Sequence, residues 1–126
     1  MKTICIVVLL SVASIVRADA GIAGFWQHEK EPVWIEMRPD SAVGVVVRND
    51  NRPDRVGFQV VTDLAATEEP DVWTAQVYAA QLQEYRDARI TLESADLMAF
   101  TVKVGFITRT VEWQRVSEVP IVINGE

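Results

Sequence analysis

The chain has 126 residues, 49% of them hydrophobic, with 12 basic against 18 acidic side chains, a net charge of −6, one cysteine and one histidine. This length suits one domain with a modest core, and the negative charge speaks against nucleic acid or anionic lipid as the main partner. One cysteine and one histidine leave no disulfide framework and too few ligands for a transition-metal site, and no cofactor is expected.

Residues 1–20 read as a secretory signal peptide. Lys2 supplies the positive start, Ile4 to Val16 form an apolar run too short to cross a bilayer, and Ala18-Asp19-Ala20 has the small-x-small form of a cleavage site. Cleavage there removes Cys5, Lys2, Arg17 and Asp19, leaving ten basic against 17 acidic side chains and a charge of −7. The domain then runs over 21–116 with a tail at 117–126. The expected location is periplasmic or secreted, with no membrane span after cleavage.

From Gly24 onward apolar residues recur with period two, the signature of half-buried strands. Trp26 and His28 share one face of the first. In the second, Val33, Ile35 and Met37 face the core and Trp34 lies outward or at a rim. After the turn at Arg38-Pro39-Asp40-Ser41, Val43, Val45 and Val47 continue the inward set, with Gly44 on the opposite face as a bend. A polar loop over 49–54 leads to a fourth strand carrying Val56, Phe58 and Val60. Glu68-Glu69-Pro70-Asp71 reads as a solvated connection, since adjacent carboxylates lack the alternation of a calcium loop.

Trp73, Ala75 and Val77 mark a fifth strand, alternating with Tyr78. Ala79 to Tyr85 has helical propensity and is read as a helical turn within a hairpin loop. Ala88, Ile90 and Leu92 mark the sixth strand. Met98, Phe100, Val102 and Val104 mark the seventh, and Arg109, Val111, Trp113 and Arg115 the eighth. Val119, Ile121 and Ile123 in the tail have the spacing of an added edge strand.

The fold class is therefore all-β, a single antiparallel up-and-down barrel of about eight strands. Pairing the eighth strand with the first sets Arg115 beside Trp26 and Trp113 beside His28, and a guanidinium over an indole face is worth about 0.5–2 kcal/mol. Trp26, Arg115 and Trp113 are thus the expected closure residues.

Gly24-x-Trp26 with an arginine late in the last strand resembles the calycin group, the lipocalins and their relatives. The ordered set of Gly24-x-Trp26, Gly44-Val45-Val46-Val47, Gly57, Trp73, Tyr85, Ala88-x-Ile90-x-Leu92, Asp96-Leu97, Gly105-Phe106 and Arg109-Thr110-Val111-Glu112-Trp113-x-Arg115 resembles the small secreted bacterial family called domain of unknown function 2147. That resemblance spans almost the whole mature chain and implies a lipocalin-like barrel in the bacterial envelope. It carries no activity with it. The chain departs from the family at Ala79 to Glu84, where an Asp-Pro and a glycine are usual, so this loop is expected to differ.

No catalytic constellation stands in the sequence. His28 has no serine in a nucleophile-elbow context, and the carboxylate pairs Asp50 and Asp54, Glu68 and Glu69, and Glu36 and Glu112 fall in loops or on outer faces. Arg48, Arg52 and Arg55 gather at one hairpin end, offset by Asp50 and Asp54. The chain is read as a non-enzyme without a metal site. An eight-stranded barrel is either filled by side chains or just wide enough for one small ligand, and both outcomes stay open. In the second, a small apolar or amphipathic ligand meets Met37, Phe58, Trp73 and Phe100, with His28 or Tyr78 as polar anchor. In the first, the protein is a structural or interaction factor of the envelope, using exposed Trp34, Tyr85 and the edge near the tail.

Overall fold

Eight antiparallel strands close on themselves in the computed structural model, which describes residues 21–121. Residues 1–20, on which the expected signal peptide falls, and residues 122–126, including Ile123, lie outside the described residues. The strands are β1 (Gly24–His28), β2 (Val33–Arg38), β3 (Val43–Asn49), β4 (Gln59–Ala66), β5 (Val72–Ala79), β6 (Glu84–Ser94), β7 (Leu97–Val104) and β8 (Ile107–Val116). Each pairs with its sequence neighbours, and β8 pairs with β1, giving an up-and-down barrel. Closure leaves no free edge strand among these eight, so each strand has a hydrogen-bonded neighbour on both sides.

The seam is set by side chains. Trp26 lies opposite Arg115 and His28 opposite Trp113, and the Arg115 guanidinium sits over the Trp26 ring at 4.4 Å. Arg115 Nε donates to Ala95 O at 2.8 Å, Nη1 donates to Ala23 O at 2.9 Å, and Nη2 donates to Gly21 O. One cation therefore ties the segment just before β1 and the β6–β7 turn to the end of β8. Trp26 is fully buried, and its Nε1 donates to Ile22 O at 3.0 Å.

The interior is filled at one end only. Ile22, Trp26, Ile35, Met37, Trp73, Ile90 and Met98 are all 0–1% exposed and stack toward the N-terminal end of β1, where Ile22 plugs the barrel. Burying two tryptophans, at 150–250 Å² each, stabilises the fold by up to about 4–6 kcal/mol apiece on area grounds. We call this the closed end and the opposite one the mouth.

Four expectations need correction. Strand β3 has the opposite facing: Met37 pairs with Gly44 and Ile35 with Val46, so Gly44 and Val46 point inward while Val45 sits opposite Glu36. A Cβ at Gly44 would lie 2.7 Å from Met37 Sδ and 3.0 Å from Val61 Cβ, so the glycine makes room for core packing rather than for an outward bend. Trp34 does lie on the outer face, opposite Arg48, yet it is only 6% exposed because the Arg48 guanidinium covers its ring at 4.7 Å. Arg48 is itself held by Asp50 at 2.8 and 3.0 Å and donates to Pro120 O of the tail.

The fourth strand starts at Gln59, because Pro53–Arg55 forms a 3-10 turn, and its buried residues are Val61 and Leu64 around a bulge at Asp63. Residues 117–121 add no strand. At Ala79–Gln83 the chain makes one helical turn, with Leu82 N and Gln83 N both donating to Ala79 O, at 3.0 and 2.8 Å.

Candidate functional site

Toward the mouth the inward positions shrink. Val33, Val77, Val102, Val104 and Val111 occupy the registers that tryptophan, methionine and isoleucine fill below. Small side chains on a wall of fixed curvature leave space, and a cavity of about 350 Å³ opens there. Its floor and sides include Phe100 and Trp113, whose ring centroids lie 5.4 Å apart. Its polar groups are few: His28, Glu31, Tyr78, Gln81 and Arg109.

His28 is held at the seam end of the wall. Its Nδ1 accepts the backbone N–H of Lys30 and of Glu31, each at 3.0 Å, and its ring meets Trp113 edge-on at 4.9 Å. Two donors on Nδ1 fix the neutral tautomer with the proton on Nε2. Burial lowers its pKa below 6.5, outweighing the nearby Glu31 and Glu29 carboxylates. Arg109 pairs with Val102, a core residue, and so stands at an inward register position by the mouth. It has no ion-pair partner among the described residues. Glu31 accepts from Asn51 Nδ2 at 3.1 Å.

Of the wall residues read from sequence, the cavity brings together Phe100, His28 and Tyr78, with Trp113 beside them. Met37 and Trp73 lie in the packed half at 1% exposure each and do not line it. Phe58 joins a separate cluster by the mouth, with Tyr78 at 4.9 Å and Tyr85 at 6.4 Å, capped by Arg55 at 5.3 Å. Tyr85 anchors that cluster through a 2.6 Å hydrogen bond to Gln59 O. Sequence reasoning gave no cavity role to Arg109 or to the valines. The available signal was the run of valines on inward positions of one half against bulky residues on the other.

The carboxylate pairs do not converge on a reacting position. Asp50 and Asp54 are each bound by an arginine, Arg48 and Arg52, whose hydrogen bonds hold both carboxyls below the usual range. Glu69 bridges to Arg89 at 2.9 Å, and Glu36 to Arg38 at 2.7 Å. Among the described residues no three His, Cys, Asp or Glu side chains gather to hold a metal, and no helix is long and apolar enough to cross a membrane. Compared with known protein families, curated proteins and solved structures, the chain matches none.

Proposed function

We propose that this protein is an exported binding module for a small apolar or amphipathic molecule, held in the mouth half of the barrel. The observation that carries this reading is the half-filled interior: a 350 Å³ cavity above a close-packed floor. That volume is at the small end of ligand pockets, and at about 30 Å³ per water it corresponds to roughly a dozen water-sized units. The occupant is then a molecule of about a dozen non-hydrogen atoms. An apolar wall with a few polar groups at one end suits a short aliphatic chain with a polar head, the head meeting Arg109 or His28. Binding without turnover agrees with a His28 whose Nδ1 is taken by backbone donors and with Glu36, Asp50, Asp54 and Glu69 each held by an arginine. Export rests on the leader at 1–20, and host-derived protein retaining Met1 would refute it.

Decanoate and decanol are suitable probes, with 12 and 11 non-hydrogen atoms. Titration followed by tryptophan fluorescence and calorimetry is expected to show saturable binding, lost in Val111→Trp, which fills the cavity, in a protein that still unfolds cooperatively. Absence of saturable binding of either probe to the folded protein would refute the reading.

A further inference from the structure

The two ends of the barrel differ in surface chemistry as well as in filling. The closed-end connections, 39–42, 67–71 and 95–96, carry Asp40, Glu68, Glu69, Asp71 and Asp96 and no lysine or arginine. The exposed large apolar side chains avoid that end. Val56, Leu82, Tyr85, Phe106 and Ile107 all stand on mouth-end loops or the strand ends beside them, and the remaining one, Ile121 of the tail, lines a groove with Val56.

The most prominent feature is the β7–β8 hairpin. Its two-residue loop starts with Gly105 at φ +64°, and Phe106 at its tip is fully exposed, with Ile107 largely so. Lys103 and Arg109 flank the tip, neither in an ion pair among the described residues. Residues 97–111 contain no acidic side chain, in a chain whose net charge is −6. A bare aromatic between two unpaired cations, on the end away from the acidic turns, matches an interface that is anionic at its surface and apolar beneath.

We propose that the mouth end docks on an anionic phospholipid surface. Phe106 and Ile107 enter the acyl boundary, Lys103 and Arg109 meet lipid phosphates, and the acidic closed end is turned away from the membrane. The cavity then opens toward the bilayer, from which an amphipathic ligand enters without crossing water. This last step rests on the binding function proposed above, whereas the docking itself does not. The overall negative charge conceals the site: the mouth-end loops at 29–32 and 50–58 carry Glu29, Glu31, Asp50 and Asp54, of which Asp50 and Asp54 are paired with Arg48 and Arg52, whereas the β7–β8 tip has cations and no carboxylate of its own.

Co-sedimentation with vesicles tests the docking, using phosphatidylcholine alone and an equal mixture with phosphatidylglycerol at low ionic strength. The mixed vesicles are expected to carry down most of the protein, and added salt to reduce that fraction. Phe106→Ser combined with Ile107→Ser is expected to lower partitioning by about tenfold or more, and Lys103→Glu by about fivefold or more. Decanoate binding in vesicle-free buffer is expected to be unchanged in the double serine variant, whose substituted residues do not line the cavity. Vesicle binding that persists without decanoate binding sustains the docking while the cavity reading falls. Docking is overturned by equal sedimentation of the double serine variant, by no preference for phosphatidylglycerol, or by a solution dimer that the serine substitutions abolish, which would make a second copy the occupant of the tip.

Discussion

Gly44→Ala separates two accounts of β3 by the sign of its effect. If Gly44 faced solvent, alanine would be neutral or would stabilise by about 0.4–1 kcal/mol, since it restricts the unfolded chain. In the structure the new methyl arrives 2.7 Å from Met37 Sδ and 3.0 Å from both Cβ and Cγ2 of Val61. Contact distance for such atoms is about 3.5–4.0 Å, so neighbours must give by up to about 1 Å. Met37 and Val61 are 1% and 0% exposed and have no free side on which to yield. Overpacking of this kind costs about 1–3 kcal/mol. Urea unfolding is the assay: the midpoint is expected to fall with m unchanged, and the melting temperature to drop by about 4–8 °C per kcal/mol. Met37→Ala alone is expected to cost about 2–5 kcal/mol by leaving a cavity. Because the alanine methyl moves into that cavity, the double variant is expected to be more stable than the two separate losses imply. An unchanged or raised midpoint for Gly44→Ala would refute the inward placement.

Trp26→Phe and Arg115→Lys are each expected to destabilise, the first by losing the Ile22 hydrogen bond and ring area, the second by losing the fork that reaches three carbonyls. A double-mutant cycle is expected to show coupling of about 0.5 kcal/mol or more, and additive losses would refute the contact. His28 makes stability depend on pH. Its folded pKa lies below 6.5, so the unfolded chain binds more protons, and stability is full above about 6.5 and declines as pH falls from there to the folded value. His28→Asn, which offers an oxygen where Nδ1 accepted, is expected to flatten this decline in thermal melts. An equally steep decline would assign it to other groups. Asp50 and Asp54, with lowered pKa values, act in a separate window, losing their contribution only as pH falls through the carboxylate range.

The barrel and its order of strands were legible because period two persists through most of the chain and each run ends at a turn residue. The seam register was legible because an alternating strand has few ways to set aromatic and cationic residues together. Strand β3 was not, since Val43, Val45, Val46 and Val47 put valine on both faces and leave parity undetermined. Its actual facing depends on how Gly44 fits between Met37 of the strand before it and Val61 of the strand after it, a three-strand contact that the pattern of β3 by itself does not contain. The face of Trp34 was legible and its burial was not, because alternation gives the face and not what covers it. The cover, Arg48, comes from the next strand and is fixed by Asp50 and the tail. The cavity was half legible, its bulky floor and valine walls being visible as a gradient in side-chain size. The exposed tip at Phe106 stands beside Gly105 in the sequence, but its position at the end opposite the acidic turns at 39–42, 67–71 and 95–96 follows only from the strand order.

The seam between β1 and β8 has a consequence for the order in which the barrel is made. Every other ladder joins neighbours along the chain, whereas this one joins residues about 90 positions apart. Loop closure costs about 0.6 kcal/mol for each doubling of length, so this ladder carries roughly 2 kcal/mol more entropic cost than a ten-residue hairpin. Formation of the barrel therefore has to wait for the last strand, and until Arg115 arrives Trp26 lacks the cation that covers it. Synthesis from the N-terminus delivers that arginine late, so the open sheet, with two unpaired edges and an uncovered tryptophan, is the species that must be kept from meeting its own kind. The clamp of one guanidinium on Gly21, Ala23 and Ala95 marks the arrival of β8 as a structural event: a chain truncated before β8 has neither its closing ladder nor its lock.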